Sequence, residues 1–178
     1  KEWIEDNIPY GSRIAIDHSF FSPRLNPSKE QLEDKLNYVL QNELGTAKEK
    51  RIRLLLNISE ERPYYNLYFL SDDKGKGTVF LFAQPVAPFD LNELIDSDVG
   101  YVIVSNESRS GSNAQFYSEL KRKGKVVATF TPYKDKERNF PIEKITRTGW
   151  PLKSKEVYAR ERNGEIITIY SMNSENRR

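Results

Sequence analysis

The sequence predicts an α/β domain, built as a three-layer, Rossmann-like mixed sheet with antiparallel hairpin additions. Two near-continuous apolar runs, at residues 13–17 and 101–105, are typical of strands that are buried on both faces. Helical patterns alternate with the strand patterns, which indicates parallel strands joined by crossover helices. Turn residues between two other pairs of strand-like runs indicate hairpins.

The amino-terminal part contains one short helix, one buried strand and one long helix. Residues 1–7 predict a helix that ends before Pro9, because the residue before a proline disfavours the α region. Ser28 and Gln31 have the spacing of a capping box, and they begin the clearest helix in the sequence. Its apolar stripe, which we expect to pack on the sheet, consists of Leu32, Leu36, Val39 and Leu40. Gly45 is predicted to end this helix.

The remaining strands are predicted from alternation and from turn residues. The alternating run at 51–57 predicts a strand, and the runs at 64–70 and 78–83 predict a hairpin. A third core strand is expected at 126–131. Asn163 and Gly164 predict a final hairpin between 156–161 and 165–170.

Two further helices are predicted in the second half, before a frayed tail at 173–178. Asp90 has a glutamate three residues on and should cap a short helix. Residues 113–123 should form a helix with Phe116, Tyr117 and Leu120 on one side. The basic run at 121–125 is typical of a helix carboxyl end, and contact with anionic lipid headgroups is the alternative.

The composition fits one domain that spans residues 1–178. The net charge of +2, from 28 basic and 26 acidic residues, argues against nucleic acid as a partner. The absence of cysteine excludes disulfides, thiolate nucleophiles and cysteine zinc sites. No apolar run reaches the roughly 18 residues that span a bilayer.

No motif in the sequence predicts a catalytic residue, a metal site or a cofactor. His18 is the single histidine, which is too little for a metal site. Residues 75–78 lack the spacing of a phosphate loop, and residues 109–112 lack the flanks of a nucleophile elbow. Asn57 and Asn106 begin glycosylation sequons, which also occur by chance.

Polar residues follow the two buried strands and predict a ligand-binding rim. Ligands of open α/β sheets bind beyond the carboxyl ends of the parallel strands. The residues that we expect to share this edge, here called the carboxyl rim, are Asp17, His18, Ser105, Asn106 and Arg109. Their donors and acceptors suit a hydroxyl-rich ligand. The alternative is that Asp17 caps a turn and Asn106 bonds its own loop.

Four blocks of the sequence occur in the order found in one family of membrane enzymes. They read W-I-x-x-N-I-P-x-G-S-x-I-A-x-D at 3–17, D-V-G-Y-V-I-V-S at 98–105, F-Y-S-E-L with G-K-V-V-A-T-F-T-P at 116–132, and G-E-I-I-T-I-Y at 164–170. The chain thereby resembles the soluble C-terminal domain of multi-spanning glycosyltransferases of the dolichyl-phosphate-mannose protein mannosyltransferase type. Residues 26–90 resemble nothing in that family, and residues 106–109 are more polar than the aromatic-bearing loop it has there.

The resemblance implies an extracytoplasmic domain that is anchored through upstream transmembrane helices. Its partners would be the membrane-embedded portion of the same polypeptide and a glycan or protein acceptor. The parent protein would be a glycosyltransferase that uses a polyprenyl-phosphate sugar, but its catalytic carboxylate has no counterpart in this sequence. The fragment itself is therefore expected to be non-catalytic. The alternative reading is a free-standing carbohydrate- or peptide-binding module.

Overall fold

The computed structural model of the chain describes residues 1–17, 23–58, 62–70, 86–105, 113–131 and 166–172. The described elements, in chain order, are α1 (Glu2–Asn7), β1 (Arg13–Ile16), α2 (Lys29–Gln41), α3 (Thr46–Asn57), β2 (Asn66–Leu70), β3 (Val86–Ala87), α4 (Leu91–Asp96), β4 (Tyr101–Ser105), α5 (Ala114–Lys123), β5 (Lys125–Phe130) and β6 (Ile167–Ser171). None of these helices is long and apolar enough to span a bilayer.

The strands form one mixed sheet in the order β3-β2-β1-β4-β6-β5. β1 is parallel to both of its neighbours, β2 and β4, and β3 is parallel to β2. β6 runs antiparallel to β4 and to β5. The strand order changes direction at β1, because β2 and β3 lie on one side of it and β4 lies on the other. The boundary between β1 and β4 is therefore a topological switch point.

Helices cover both faces of the sheet, which confirms the α/β prediction. On one face, Ala15, Val102 and Val104 pack with Leu94 of α4 and Leu120 of α5. On the other face, the isoleucines of β1, β4 and β6 pack with α1 and the turn after it; they are Ile14, Ile16, Ile103 and Ile169, against Ile4 and Ile8. Adjacent residues of β1 and β4 thus point to opposite buried faces, as their continuous apolar runs predict.

The predicted strand at 51–57 is wrong, because these residues belong to α3. Ile52, Leu55 and Leu56 recur at i, i+3 and i+4, and this face packs against α2. The same seven residues also alternate, so the short run fits both periods. Gly45 has φ +96° and precedes α3, whereas α2 already ends at Gln41.

The stripe on α2 packs on α3, and the expectation that it packs on the sheet is wrong. Ser28 caps α2 as predicted, since its Oγ accepts a hydrogen bond from the Gln31 amide. Leu32 and Val39 are buried against Ile52 in a small core that the two helices share. Leu40 is 46 % exposed, because it lies beyond the edge of that core.

The predicted third core strand is an edge strand. β5 belongs to the same sheet as β1 and β4, but it pairs with β6 alone among the described strands. Val126 is 51 % exposed and Phe130 is 40 % exposed, so the apolar run does not signify burial on both faces. The pairing with β6 shifts register between Val126 and Ala128, which is the signature of a β-bulge.

The two predicted hairpins reach beyond the described residues. β2 lies between β1 and β3, and it is parallel to both. β6 lies between β4 and β5, and it is antiparallel to both. The expected hairpin partners at 78–83 and 156–161, and the tail at 173–178, lie outside the described residues.

Candidate functional site

Asp17 and Ser105 meet at the switch point, where β1 and β4 end. Ile16 lies opposite Ile103 in the parallel ladder, and the Asp17 amide continues that ladder by donating to the Ile103 carbonyl at 3.1 Å. Ser105 is the last residue of β4. Both strands are buried up to this edge, and the two polar side chains are buried there in contact with each other.

The Asp17 carboxylate accepts hydrogen bonds from two neighbouring elements. Its Oδ1 accepts from the Ser105 amide at 2.8 Å and from the Ser105 hydroxyl at 2.9 Å. Its Oδ2 accepts a longer bond, 3.3 Å, from the Tyr117 hydroxyl of α5. We call Asp17, Ser105 and Tyr117 the Asp17 hub. All three residues are buried. The hydrogen bonds therefore replace those to water that the carboxylate loses on burial.

Aromatic packing holds the Tyr117 ring in this position. Phe116 and Phe89 meet it edge to face, with ring centroids 5.4 Å and 6.2 Å away. This geometry is the preferred one for aromatic pairs. The phenol oxygen is thereby directed at the end of β1 by a packed helix.

The hub ties three elements that are distant in sequence. Ser105 is 88 residues from Asp17, and Tyr117 is 100 residues from it. The described bonds of the carboxylate therefore link strands and a helix. The alternative, in which Asp17 caps a turn, concerns residues 18–22, which lie outside the described residues. The arrangement is suited to fixing the edge of the sheet. Within it, the Ser105 hydroxyl donates to the Asp17 carboxylate, which holds the end of β4 against the end of β1.

The structure brings together two of the five predicted rim residues. Asp17 and Ser105 are in contact, as predicted from their positions at strand ends. His18, Asn106 and Arg109 lie outside the described residues. Tyr117 was predicted only as an apolar helix residue. The signal that could have found it is that a buried tyrosine hydroxyl needs a hydrogen-bond partner.

Within the described ranges, no group of three metal-binding side chains occurs. Comparison of the chain with protein-family models, with known proteins and with solved structures finds no match. The resemblance to a mannosyltransferase domain therefore stays an expectation from the sequence.

Proposed function

We propose that this chain is a non-catalytic, extracytoplasmic accessory domain of a membrane glycosyltransferase that uses a polyprenyl-phosphate sugar. The observation that carries the proposal is where the four resembling sequence blocks lie. They form α1, β1, β4, α5, β5 and β6, which together make one continuous side of the sheet and the helices on it. Residues 26–90, which resemble nothing in the family, supply β2, β3 and the α2–α3 hairpin on the other side.

Segments that are far apart in sequence but adjacent in the fold share packing constraints. β1, β4 and β6 pack their isoleucines into one cluster with α1, and β4 and β6 pack with α5 on the opposite face. A chance match of scattered short patterns would have no reason to select neighbouring elements. The strand order β3-β2-β1-β4 also matches the first four strands of the Rossmann order, which supports the three-layer, Rossmann-like part of the proposal.

The proposed partners are the membrane-embedded portion of the same polypeptide and a glycan or protein acceptor. The acceptor would bind at the carboxyl rim, where the Asp17 hub fixes the ends of β1 and β4. In this role Asp17 is a positioning residue, because its described bonds go to the protein itself. Ligand contacts would come from groups around it.

The test is an NMR titration of the 15N-labelled chain with oligosaccharides and with acceptor peptides. We expect chemical-shift changes at Asp17, Ser105 and the first residues of α5. An assay of the purified chain with a polyprenyl-phosphate sugar should detect no transfer. Turnover by the chain alone would overturn the non-catalytic role. Chemical-shift changes confined to β2 would rule out the carboxyl rim as the binding site. The upstream reading frame supplies an independent check, since it should encode apolar segments about 20 residues long.

A second candidate is a free-standing carbohydrate- or peptide-binding module, and one observation favours it. Tyr10 is 59 % exposed and Tyr64 is 42 % exposed, and the two flank Gly11 at the amino end of β1. The Tyr64 ring packs beside Gly11: a Cβ atom added to Gly11 would lie 3.8 Å from the Cε2 atom of that ring. Exposed aromatic rings present apolar faces together with a polar hydroxyl. Sugar-induced shifts at Tyr10 and Tyr64, with the Asp17 hub unchanged, would favour this module.

A further inference from the structure

Three cations lie together on one flank of the α2–α3 hairpin. Lys48 and Arg51 are three residues apart on α3 and therefore share a side of that helix. Lys35 is on α2, three residues after Leu32, which packs on α3 through Ile52. Lys48 precedes Ile52 by four residues, so Lys35 and Lys48 both border the same packed surface.

No described carboxylate neutralises this cluster. The described ion pairs do not include Lys35, Lys48 or Arg51. The only acidic residue of α3, Glu49, is held by Arg53 at 2.7 Å. α3 carries Lys48, Lys50, Arg51 and Arg53 against that one carboxylate, which is four minus one, or a net charge of +3.

The cluster is electrostatically unfavourable without a counter-ion. Lys35 is half-buried; desolvation, followed by the positive charges of Arg51 and Lys48, lowers its pKa. Lys48 also lies in the first turn of α3, where the helix macrodipole disfavours a cation. An anion on this flank would relieve both effects.

We propose that Lys35, Lys48 and Arg51 form a binding site for a phosphate group. A phosphate offers several acceptor oxygens and at least one full negative charge. The guanidinium of Arg51 can bind two of those oxygens at once, while the two lysines supply point charges from either side. The site belongs to the part of the chain that resembles nothing in the mannosyltransferase family, and it does not rest on the proposed function.

The surroundings of the cluster favour the phosphate of an anionic phospholipid. Leu54 is 60 % exposed and lies three residues after Arg51, so cation and apolar side chain are neighbours on one helix surface. Cations near an anionic bilayer are attracted to its headgroups, and burial of an apolar side chain in the interface adds to that attraction. A soluble phosphate would use the cations but would gain nothing from Leu54.

The test measures binding of the 178-residue chain to vesicles and to inorganic phosphate. The vesicles are phosphatidylcholine alone, or phosphatidylcholine with phosphatidylglycerol, and binding is followed by co-sedimentation. Each cation near an anionic surface contributes about 1 kcal/mol, so neutralising one should weaken the partition coefficient roughly fivefold. The triple change Lys35→Gln, Lys48→Gln and Arg51→Gln should weaken it by about a hundredfold.

The matched control removes three other exposed cations, in Arg24→Gln, Arg62→Gln and Arg122→Gln. It lowers the net charge by the same amount and should retain most of the binding. Circular dichroism should find the cluster variant at least as stable as the natural chain, since like-charge repulsion is removed. The double variant Lys48→Gln with Arg51→Gln changes only the two exposed cations and leaves the half-buried Lys35 in place.

Leu54→Gln separates the two sources of phosphate. It should weaken vesicle binding while NMR shifts of Lys48 and Arg51 with inorganic phosphate stay unchanged. If inorganic phosphate shifts the NMR signals of Lys48 and Arg51 but the chain does not bind vesicles, the phosphate site stands and the proposal that a phospholipid supplies the phosphate is overturned. Equal losses in the cluster and control variants, or no binding of either probe, would overturn the site itself.

Discussion

Asp17 joins the ends of β1 and β4 to α5 at the switch point. One carboxylate oxygen accepts two hydrogen bonds from Ser105, and the other accepts one from Tyr117. A buried carboxylate is costly unless such donors replace its water, and removing the acceptor would leave those donors unsatisfied. The geometry thus makes Asp17 important for stability whether or not the carboxyl rim binds a ligand.

Replacing Asp17 by asparagine tests this role. The amide oxygen can still accept from Ser105, but the amide nitrogen cannot accept from the Tyr117 hydroxyl, and the charge is lost. We expect the free energy of unfolding to fall by about 2 kcal/mol, the usual size for a hydrogen bond to a charged group. Urea denaturation measures it. Asp34→Asn on the exposed side of α2 is the control and should stay within about 0.5 kcal/mol; an equally small effect at Asp17 would refute the role.

At the scale of elements, the sequence predicts best where the signal is local. The caps at Ser28 and Asp90 are side chains that accept from backbone amides two or three residues away, and both caps are confirmed. Residues 51–57 fit both the strand period and the helix period, so the sequence predicts a strand where packing on α2 selects α3. The exposure of β5 follows from its place at the edge, which depends on β6 some 40 residues later.

Substitutions at two apolar residues of α3 can distinguish a helix from a strand at residues 51–57. In a strand, Ile52 and Leu54 would share a face, whereas on a helix they point about 200° apart. Ile52 is buried and Leu54 is 60 % exposed. We expect Ile52→Ala to cost about 2–3 kcal/mol in urea denaturation and Leu54→Ala to cost less than about 0.5 kcal/mol. Equal losses would contradict the helix.

Only the Ser28 half of the predicted capping box is among the described bonds, because the Gln31 side chain bonds β2 instead. The Gln31 side-chain amide donates to the Leu67 carbonyl at 2.9 Å and its oxygen accepts from the Leu67 amide at 3.0 Å. Next to it, the Asn26 carbonyl accepts from the Tyr65 amide at 3.0 Å. These groups occupy the side of β2 that faces away from β1, before β3 begins, and so protect an edge of the sheet.

Gln31→Leu should expose that edge. The change keeps the size of the side chain but leaves the Leu67 amide and carbonyl without their partners. We expect a loss of about 2 kcal/mol in the free energy of unfolding and faster hydrogen exchange of the Leu67 amide. Gln41→Leu, at the exposed end of the same helix, is the control. Unchanged exchange at Leu67 would show that other groups satisfy it.

At the scale of the whole molecule, the sheet joins a parallel part and an antiparallel part. β3, β2, β1 and β4 form the parallel part, and β6 and β5 extend it with antiparallel pairing. The sequence predicts the α/β class, because helical patterns alternate with buried strands. It also predicts the meeting of Asp17 with Ser105, because each follows or ends a buried strand. It does not predict Tyr117 in the hub, since that contact requires the placement of α5 across the sheet.

The global stability should also fall at alkaline pH through one buried tyrosine. Tyr65 is fully buried and donates a hydrogen bond to the Ile4 carbonyl at 3.3 Å. Desolvation, followed by the nearby charge of Glu5, raises the pKa of Tyr65 from 10.0 to about 12. The unfolded chain therefore loses this proton first, and the folded state binds more protons between pH 10 and about 12. Stability must decrease as the pH rises through that window.

Tyr65→Phe removes the ionisable group and isolates its contribution. At pH 7 the variant should lose about 1 kcal/mol, because one hydrogen bond disappears and the ring stays buried. Between pH 8 and pH 11, its free energy of unfolding should decline less steeply than that of the natural chain, as measured by urea denaturation at each pH. Tyr10→Phe, on a ring that is 59 % exposed, should follow the natural profile and serves as the control. Parallel pH profiles for Tyr65→Phe and the natural chain would mean that the Tyr65 hydroxyl can ionise within the fold, and the contact between α1 and Tyr65, just before β2, would then be far looser than its burial implies.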